Sequence, residues 1–477
     1  GTAGDILVNA SQSVQLSGTL PNGSRGGLLA EATQGGSAGS MQINTAQLTI
    51  DTGAQATVSS TASGTAGALD ITATSVTLSN NARLAAETQQ GSGGDIQLQG
   101  LQTLQLTGNS QISASTIDGQ GGTLSVAAAR SINLSGNSSL LARATGNGSA
   151  VALSVTTGQL TLEQAEISTS TAGQGNAGKI AIQANALDLA RGSRVTSLSS
   201  GTGNAGSITI NLRDRLTASA STISAASERG GGGQIAITAQ DIRLRRSSPV
   251  TSSVFDGAGG GGSISFSSNI FIALEDSDIL ANAVFGGGGR ININAPVFIA
   301  DIFANVGQNP GRDFSRFRGN GRVDISASSQ FGVQGVVSVP DFTFLQNSLS
   351  SLASNFVNPD QVVAGSCLAR RTTEQGSFTV TGVGGLPRTP YDAVSANYPI
   401  AQVRPLPGRG ATVPASETGL SNSHLPAIGW QPGDPIQEAQ GLITLPDGRI
   451  VVGTNPQLAT IAQVEDLICH PASSSQQ

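Results

Sequence analysis

Only two cysteines occur in the 477 residues, Cys367 and Cys469, and they are 102 positions apart with no CxxC spacing. Two histidines, His424 and His470, are the only imidazoles. Four-ligand zinc chemistry finds no donor set here. A Ser-His-acid triad needs a histidine held by an ordered scaffold, and both lie in an irregular C-terminal stretch. Charged residues are only 11% of the chain and the formal net charge is −6, so the clustered basic face of a nucleic-acid binder is missing. No apolar run reaches the roughly 18 residues of a membrane-spanning helix, so no transmembrane segment is expected. Lysine occurs once, at Lys179, and the sequence offers no reason for it. No motif calls for a cofactor.

Aromatic residues and proline are scarce in one half only. All 13 Phe lie at or beyond Phe255, and 14 of the 18 Pro lie from Pro340 onward. The chain therefore changes character after about residue 250.

What is abundant is glycine, 63 residues, and much of it is periodic. Gly4, Gly39, Gly67, Gly94, Gly122, Ser149, Gly178, Gly206, Gly233, Gly262, Gly289 and Gly321 open copies of a repeat, with Ser149 the one substitution. Apolar residues follow two and four positions later, as in Leu69/Ile71 and Ile180/Ile182, and Val151/Leu153 and Val323/Ile325 fit the same template. A second pair comes nine to thirteen residues after the glycine, as in Val76/Leu78. A third apolar position follows 17 to 19 residues after it: Val58, Leu84, Ile112, Leu140, Ile167, Val195, Ile223, Val250 and Ile279. Every alternation has period two, so each copy holds short strands with one buried face.

Three strands per copy describe one triangular coil of a right-handed parallel β-helix, about 12 coils of roughly 28 residues. At about 4.8 Å per coil the rod is about 55 Å long, held by nearest-neighbour stacking. A leucine-rich repeat would need its asparagine-marked consensus. Helical repeats would need i, i+3, i+4 spacing. The glycines are expected to serve tight corners or positive φ.

The β-helix should occupy residues 1–340. A cap and Pro-rich tail should fill 341–477, with a short amphipathic helix over 342–356 and a strand pair at 441–445 and 449–452 joined by Pro446-Asp447-Gly448. The chain opens in mid-repeat without a leader, which reads as the C-terminal portion of a longer protein.

Three candidate sites emerge. Glu275, Asp276 and Asp278 are the densest acid cluster; paired acids serve glycosidases on such folds, but an exposed turn is the expectation here. Arg312, Phe314, Arg316, Phe317, Arg318 and Arg322 fall in a 32-residue interval that reads as an inserted loop. It could contact an acidic polysaccharide or a single strand of nucleic acid, or fold its Phe residues back over the coil. Cys367 and Cys469 could form a disulfide in an exported protein, or stay separate thiols.

Asn176-Ala-Gly-Lys-Ile-Ala-Ile182 and Asn204-Ala-Gly-Ser-Ile-Thr-Ile210 resemble filamentous haemagglutinin-like exoproteins of two-partner secretion systems, particularly cyanobacterial ones. The tail stretches Asp360-Gln-Val-Val-Ala-Gly-Ser-Cys367, Gly376-Ser-Phe-Thr-Val-Thr-Gly382, Gly384-Gly-Leu-Pro387 and Glu438-Ala-Gln-Gly441 resemble the C-terminal segment of those proteins. The resemblance implies export through a partner outer-membrane β-barrel transporter and a secreted or surface location. It further implies a non-enzymatic adhesive role toward glycans or cell surfaces. The secretion domain that such a partner engages is not within this sequence. A carbohydrate-active β-helix enzyme and a structural surface-layer component are the alternatives.

Overall fold

A computed structural model of the chain describes residues 1–20, 23–33, 35–301, 317 and 319–340, together with the backbone of Gly441–Thr444 and Ile450–Gly453. The contacts divide the chain into Gly1–Ser351 and Leu352–Gln477, eleven residues beyond the expected boundary. The first unit is a parallel β-helix. In the second, Gly441–Thr444 pairs antiparallel with Ile450–Gly453, the strand pair expected from the sequence. The 342–356 segment lies outside the described residues.

Each coil has three sides. The first and second strands form one sheet of sixteen strands, and the third strands form a sheet of eleven. In seven coils the first two strands fuse into a single strand of 11 to 13 residues, for example Thr123–Ser135. A register irregularity between Ala128 and Ser131 then marks the bend. Elsewhere the two separate, as in Leu69–Thr72 and Ser75–Leu78. A third ladder consists of single parallel bridges running from Ala32↔Ser60 to Ala283↔Ser329.

The interior is a set of aliphatic columns. Met41, Leu69, Ile96, Leu124, Leu153, Ile180, Ile208, Ile235, Ile264 and Ile291 pair rung to rung and are all buried. Burying such a side chain is worth about 1.5–3 kcal/mol, against about 0.5–1.5 kcal/mol net for one ladder hydrogen bond. The columns therefore set the register and the hydrogen bonds follow it. Near the C-terminal coils the column interiors turn aromatic. Phe271 meets Phe266 edge-on at 4.9 Å and stacks on Phe298 at 5.7 Å.

Several expectations need correction. Ser149 is not the sixth opening position: Leu124 pairs with Leu153 and Val126 with Val155, so Val151 stands where other coils have glycine. The third strand of the second coil centres on Ala56, which pairs with Leu84, and Val58 lies two residues on. Gly321 does not open a coil either. Ile325 pairs with Ile279 in the eleven-stranded sheet, so the inserted segment separates the second and third strands of one coil. The next first strand is Val336–Ser338, behind Gly335.

The opening glycines from Gly39 to Gly289 serve close approach and not positive φ. A Cβ on Gly67 would lie 2.0 Å from the carbonyl oxygen of Gly39, one coil below. Positive φ gathers instead at the corner between second and third strands, at Asn80, Asn81, Asn109, Asn137, Glu275 and Asp276 among others. Asn and Asp tolerate that region better than other side chains.

Candidate binding groove

The third strand is only three residues long in most coils, and its middle residue enters the core: Leu84, Ile112, Leu140, Ile167, Val195. Period-two geometry then sends the residues on either side, and the one two positions further on, to the outer face. Thr57, Ala85, Ser113, Leu141, Ser168 and Thr196 form one outward row, yet all are buried. They are the floor of a groove whose sides rise above them.

One wall carries Arg83, Gln111, Ser139, Glu166 and Arg194. The other carries Glu31, Ser59, Glu87, Ser115, Arg143 and Ser170. An open cavity of about 490 Å³ runs from Glu31 to Thr145, and a second of about 400 Å³ continues it to Arg194, sharing Gln111, Leu141 and Arg143. Glu31 stands on the first rung and Arg194 on the seventh. Six spacings of about 4.8 Å make the groove about 29 Å long.

Its electrostatics are self-compensating. Arg83 pairs with Glu87 across the floor, and Arg143 pairs with Glu166 on the next rung. Arg143 Nε also donates to Ser168 Oγ at 2.9 Å. The hydroxyls lock successive rungs: Ser59 Oγ accepts the N–H of Glu87 at 3.0 Å, Ser115 Oγ that of Arg143 at 3.1 Å, and Ser170 Oγ that of Leu198 at 3.1 Å. On the floor Thr57 Oγ1 donates to Ser59 Oγ at 2.8 Å and Ser113 Oγ to Ser115 Oγ at 2.9 Å. The result is a rigid lining rich in hydroxyl, amide and planar ionic groups.

The sites expected from sequence fall elsewhere. Cys367, Cys469, Arg312, Phe314, Arg316 and Arg318 lie outside the described residues. Phe317 is buried. Arg322 brings Nε to 3.7 Å from the buried carboxylate of Asp324. The acid cluster is only partly an exposed turn. Glu275 bonds to Arg245 at 2.6 Å and to the N–H of Arg246, and Asp276 accepts the N–H groups of Gly319 and Asn320. Asp278 is buried, contrary to expectation. Among the described residues no three His, Cys, Asp or Glu side chains gather as metal ligands would.

The groove was missed because its residues are ordinary outward positions of short strands, identical in pattern to those of a flat face. The one available signal was the recurrence of Arg and Glu at the two positions flanking the floor row. Comparison with protein-family models, curated proteins and solved structures finds no match. Fold and groove together define the class: a repetitive parallel β-solenoid with a polar groove along one edge of its section.

Proposed function

We propose that the chain is an exported, non-catalytic rod that works by contact, an adhesin-like element displayed at the cell surface or released from it. Its partners would be glycans or cell surfaces, with an outer-membrane transporter of the two-partner type acting during export. The observation that carries this reading is the compensation of the groove: Arg83 with Glu87 and Arg143 with Glu166 commit charge to charge along walls whose positions, though not their residues, recur on every rung. A lining of recurring positions suits many weak contacts that add by multivalency. It does not single out one reacting centre.

One observation favours a second reading. Glu31 and Glu87 occupy the same wall two rungs apart, about 9.6 Å on the strand spacing, near the upper limit of about 9.5 Å for the carboxyl pair of an inverting glycosidase. Against it, Glu87 is engaged by Arg83.

The two readings separate in one experiment. The chain is coated on beads and offered to cells and extracellular matrix, while soluble polysaccharides incubated with it are assayed for new reducing ends. Retention of cells with no reducing ends supports contact. Reducing ends that disappear in Glu87→Gln would replace it with hydrolysis.

A further inference from the structure

Resting on the contact reading, we infer that the groove between Glu31 and Arg194 binds a linear, uncharged polysaccharide lying along the solenoid axis, about one sugar per rung. Four features of the lining lead there.

The first is period. The wall positions recur once per coil, and four of the five rungs from Arg83 to Arg194 carry a planar polar group there, so a ligand that uses them must itself be a chain of similar units with a repeat near the rung spacing. A pyranose linked through opposite ends of its ring has that length. The second is chemistry. Vicinal hydroxyls are matched by planar groups that offer two hydrogen-bonding atoms side by side, and the walls supply these from Arg83, Gln111, Glu166 and Arg194. Ile117 on the shoulder, 43% exposed, offers apolar surface for the C–H face of a sugar ring.

The third is charge. Four arginines (Arg83, Arg143, Arg191, Arg194) and three glutamates (Glu31, Glu87, Glu166) line the cavities, and Arg191 is paired with a fourth glutamate, Glu163, at the rim, so groove and rim together balance. Such a balance gives a polyanion nothing to neutralise, and a phosphate or sulfate chain would meet as much repulsion as attraction. The fourth is extent. Beyond Arg194 the equivalent wall positions are Thr222, Pro249 and the buried Ala226 and Ser253, which are small or lack paired functional groups. On the final rungs Asp278, Asn282, Ser326 and Ser328 are buried outright. Recognition therefore begins at the first rung and fades after the seventh, which sets the ligand length.

The test uses the full chain in isothermal calorimetry and saturation-transfer NMR. The probes are β-1,4-linked gluco- and manno-oligosaccharides of increasing length, with heparin and an unstructured neutral peptide as competing classes. Affinity should rise with length and level off at about six or seven sugars, one per rung, with little dependence on salt. Gln111→Ala and Glu87→Gln should each weaken binding about fivefold, a hydrogen bond's worth of about 1 kcal/mol, while the thermal unfolding transition stays in place. Asn211→Ala, in the long strand Ser207–Ser219 of the other sheet, should leave it unchanged.

Binding only to heparin with a steep salt slope, or only to the peptide, overturns the inference. So does neutral-glycan binding that both groove variants retain in full, or no glycan binding at all. Cell retention by beads carrying the groove variants tells the two ideas apart. Undiminished retention removes the groove but keeps the contact role, whereas a parent chain that retains no cells removes both.

Discussion

Asp278 and Asp324 are 46 residues apart in sequence and adjacent in space: Asp278 Oδ1 accepts the backbone N–H of Asp324 at 3.0 Å, and both carboxylates are buried. This contact restarts the helix after its one large insertion. Asn320 Nδ2 donates to Asp324 Oδ2 at 2.5 Å, and Arg322 stands beside the same carboxylate, so the returning chain is fixed just before Ile325 regains its partner Ile279. Asp278→Ala leaves a buried N–H unpaired, and the expected loss is about 1–3 kcal/mol of stability. Asp278→Asn keeps an acceptor in place and should lose less. Guanidinium unfolding followed by circular dichroism measures both, and equal losses would show that the hydrogen bond is not what anchors the returning strand.

Glycine makes a second prediction, because three positions separate two causes from a control. A Cβ on Gly94 would stand 1.8 Å from the carbonyl oxygen of Gly67, so the backbone must move, and Gly94→Ala should cost at least the 1–3 kcal/mol, roughly, of an overpacked core. Gly192 has φ +83° with nothing within 4 Å, so Gly192→Ala meets only the left-handed penalty, about 1–2 kcal/mol. Gly4 has neither problem and should tolerate alanine. The melting temperatures should rank Gly4→Ala highest, then Gly192→Ala, with Gly94→Ala lowest.

The β-helix itself was legible because inward positions obey one strict rule: each must be apolar and must match the residue one rung away. Ile180, Ile208 and Ile235 announce themselves on that ground alone. The opening glycines were equally visible, although their cause was not, since sequence cannot distinguish close backbone approach from positive φ. Errors came where a coil departs from the template. Val151 takes the place of a glycine, so Val151/Leu153 imitates the true pair Leu153/Val155 one alternation too early. The insert before Ile325 likewise allowed Gly321 to imitate an opening glycine. The groove was least legible of all. Whether Thr57 and Ser113 lie on a flat face or at the bottom of a cleft depends on how far neighbouring corners project, and no residue pattern reports that.

The aromatic stack supplies a third prediction. Phe271 is fully buried and touches both Phe266 and Phe298, on its own and the following coil. Phe271→Ala removes both ring contacts and opens a cavity, with an expected cost of about 3–5 kcal/mol. Because solenoid stability sums over neighbouring coils, the damage should stay local. Hydrogen exchange should rise along Ser263–Ser267, Ile270–Ala273 and Val297–Ala300 and stay slow at Ile96–Leu106. Uniform loss of protection would mean that the coils unfold as one unit.

Glu275 makes the stability of the corner depend on pH. The hydrogen bond from the Arg245 side chain, then its charge and the N–H of Arg246, hold the Glu275 carboxyl below the ordinary glutamate value. A depressed folded value means that the contribution is complete above the unfolded glutamate value, about 4.3, and is lost as pH falls through the folded value. The corner is solvent-exposed, so the effect on global stability is small and the local signal is the useful one. Carbon-detected NMR titration should find Glu275 protonating below an unpaired glutamate, and Arg245→Gln should move its midpoint upward toward the ordinary range. At the same acidic pH the amide of Arg246, which donates to that carboxylate, should begin to exchange faster. A midpoint that stays put in Arg245→Gln would show that the guanidinium does not hold the proton off, and that the corner owes its shape to its left-handed backbone alone.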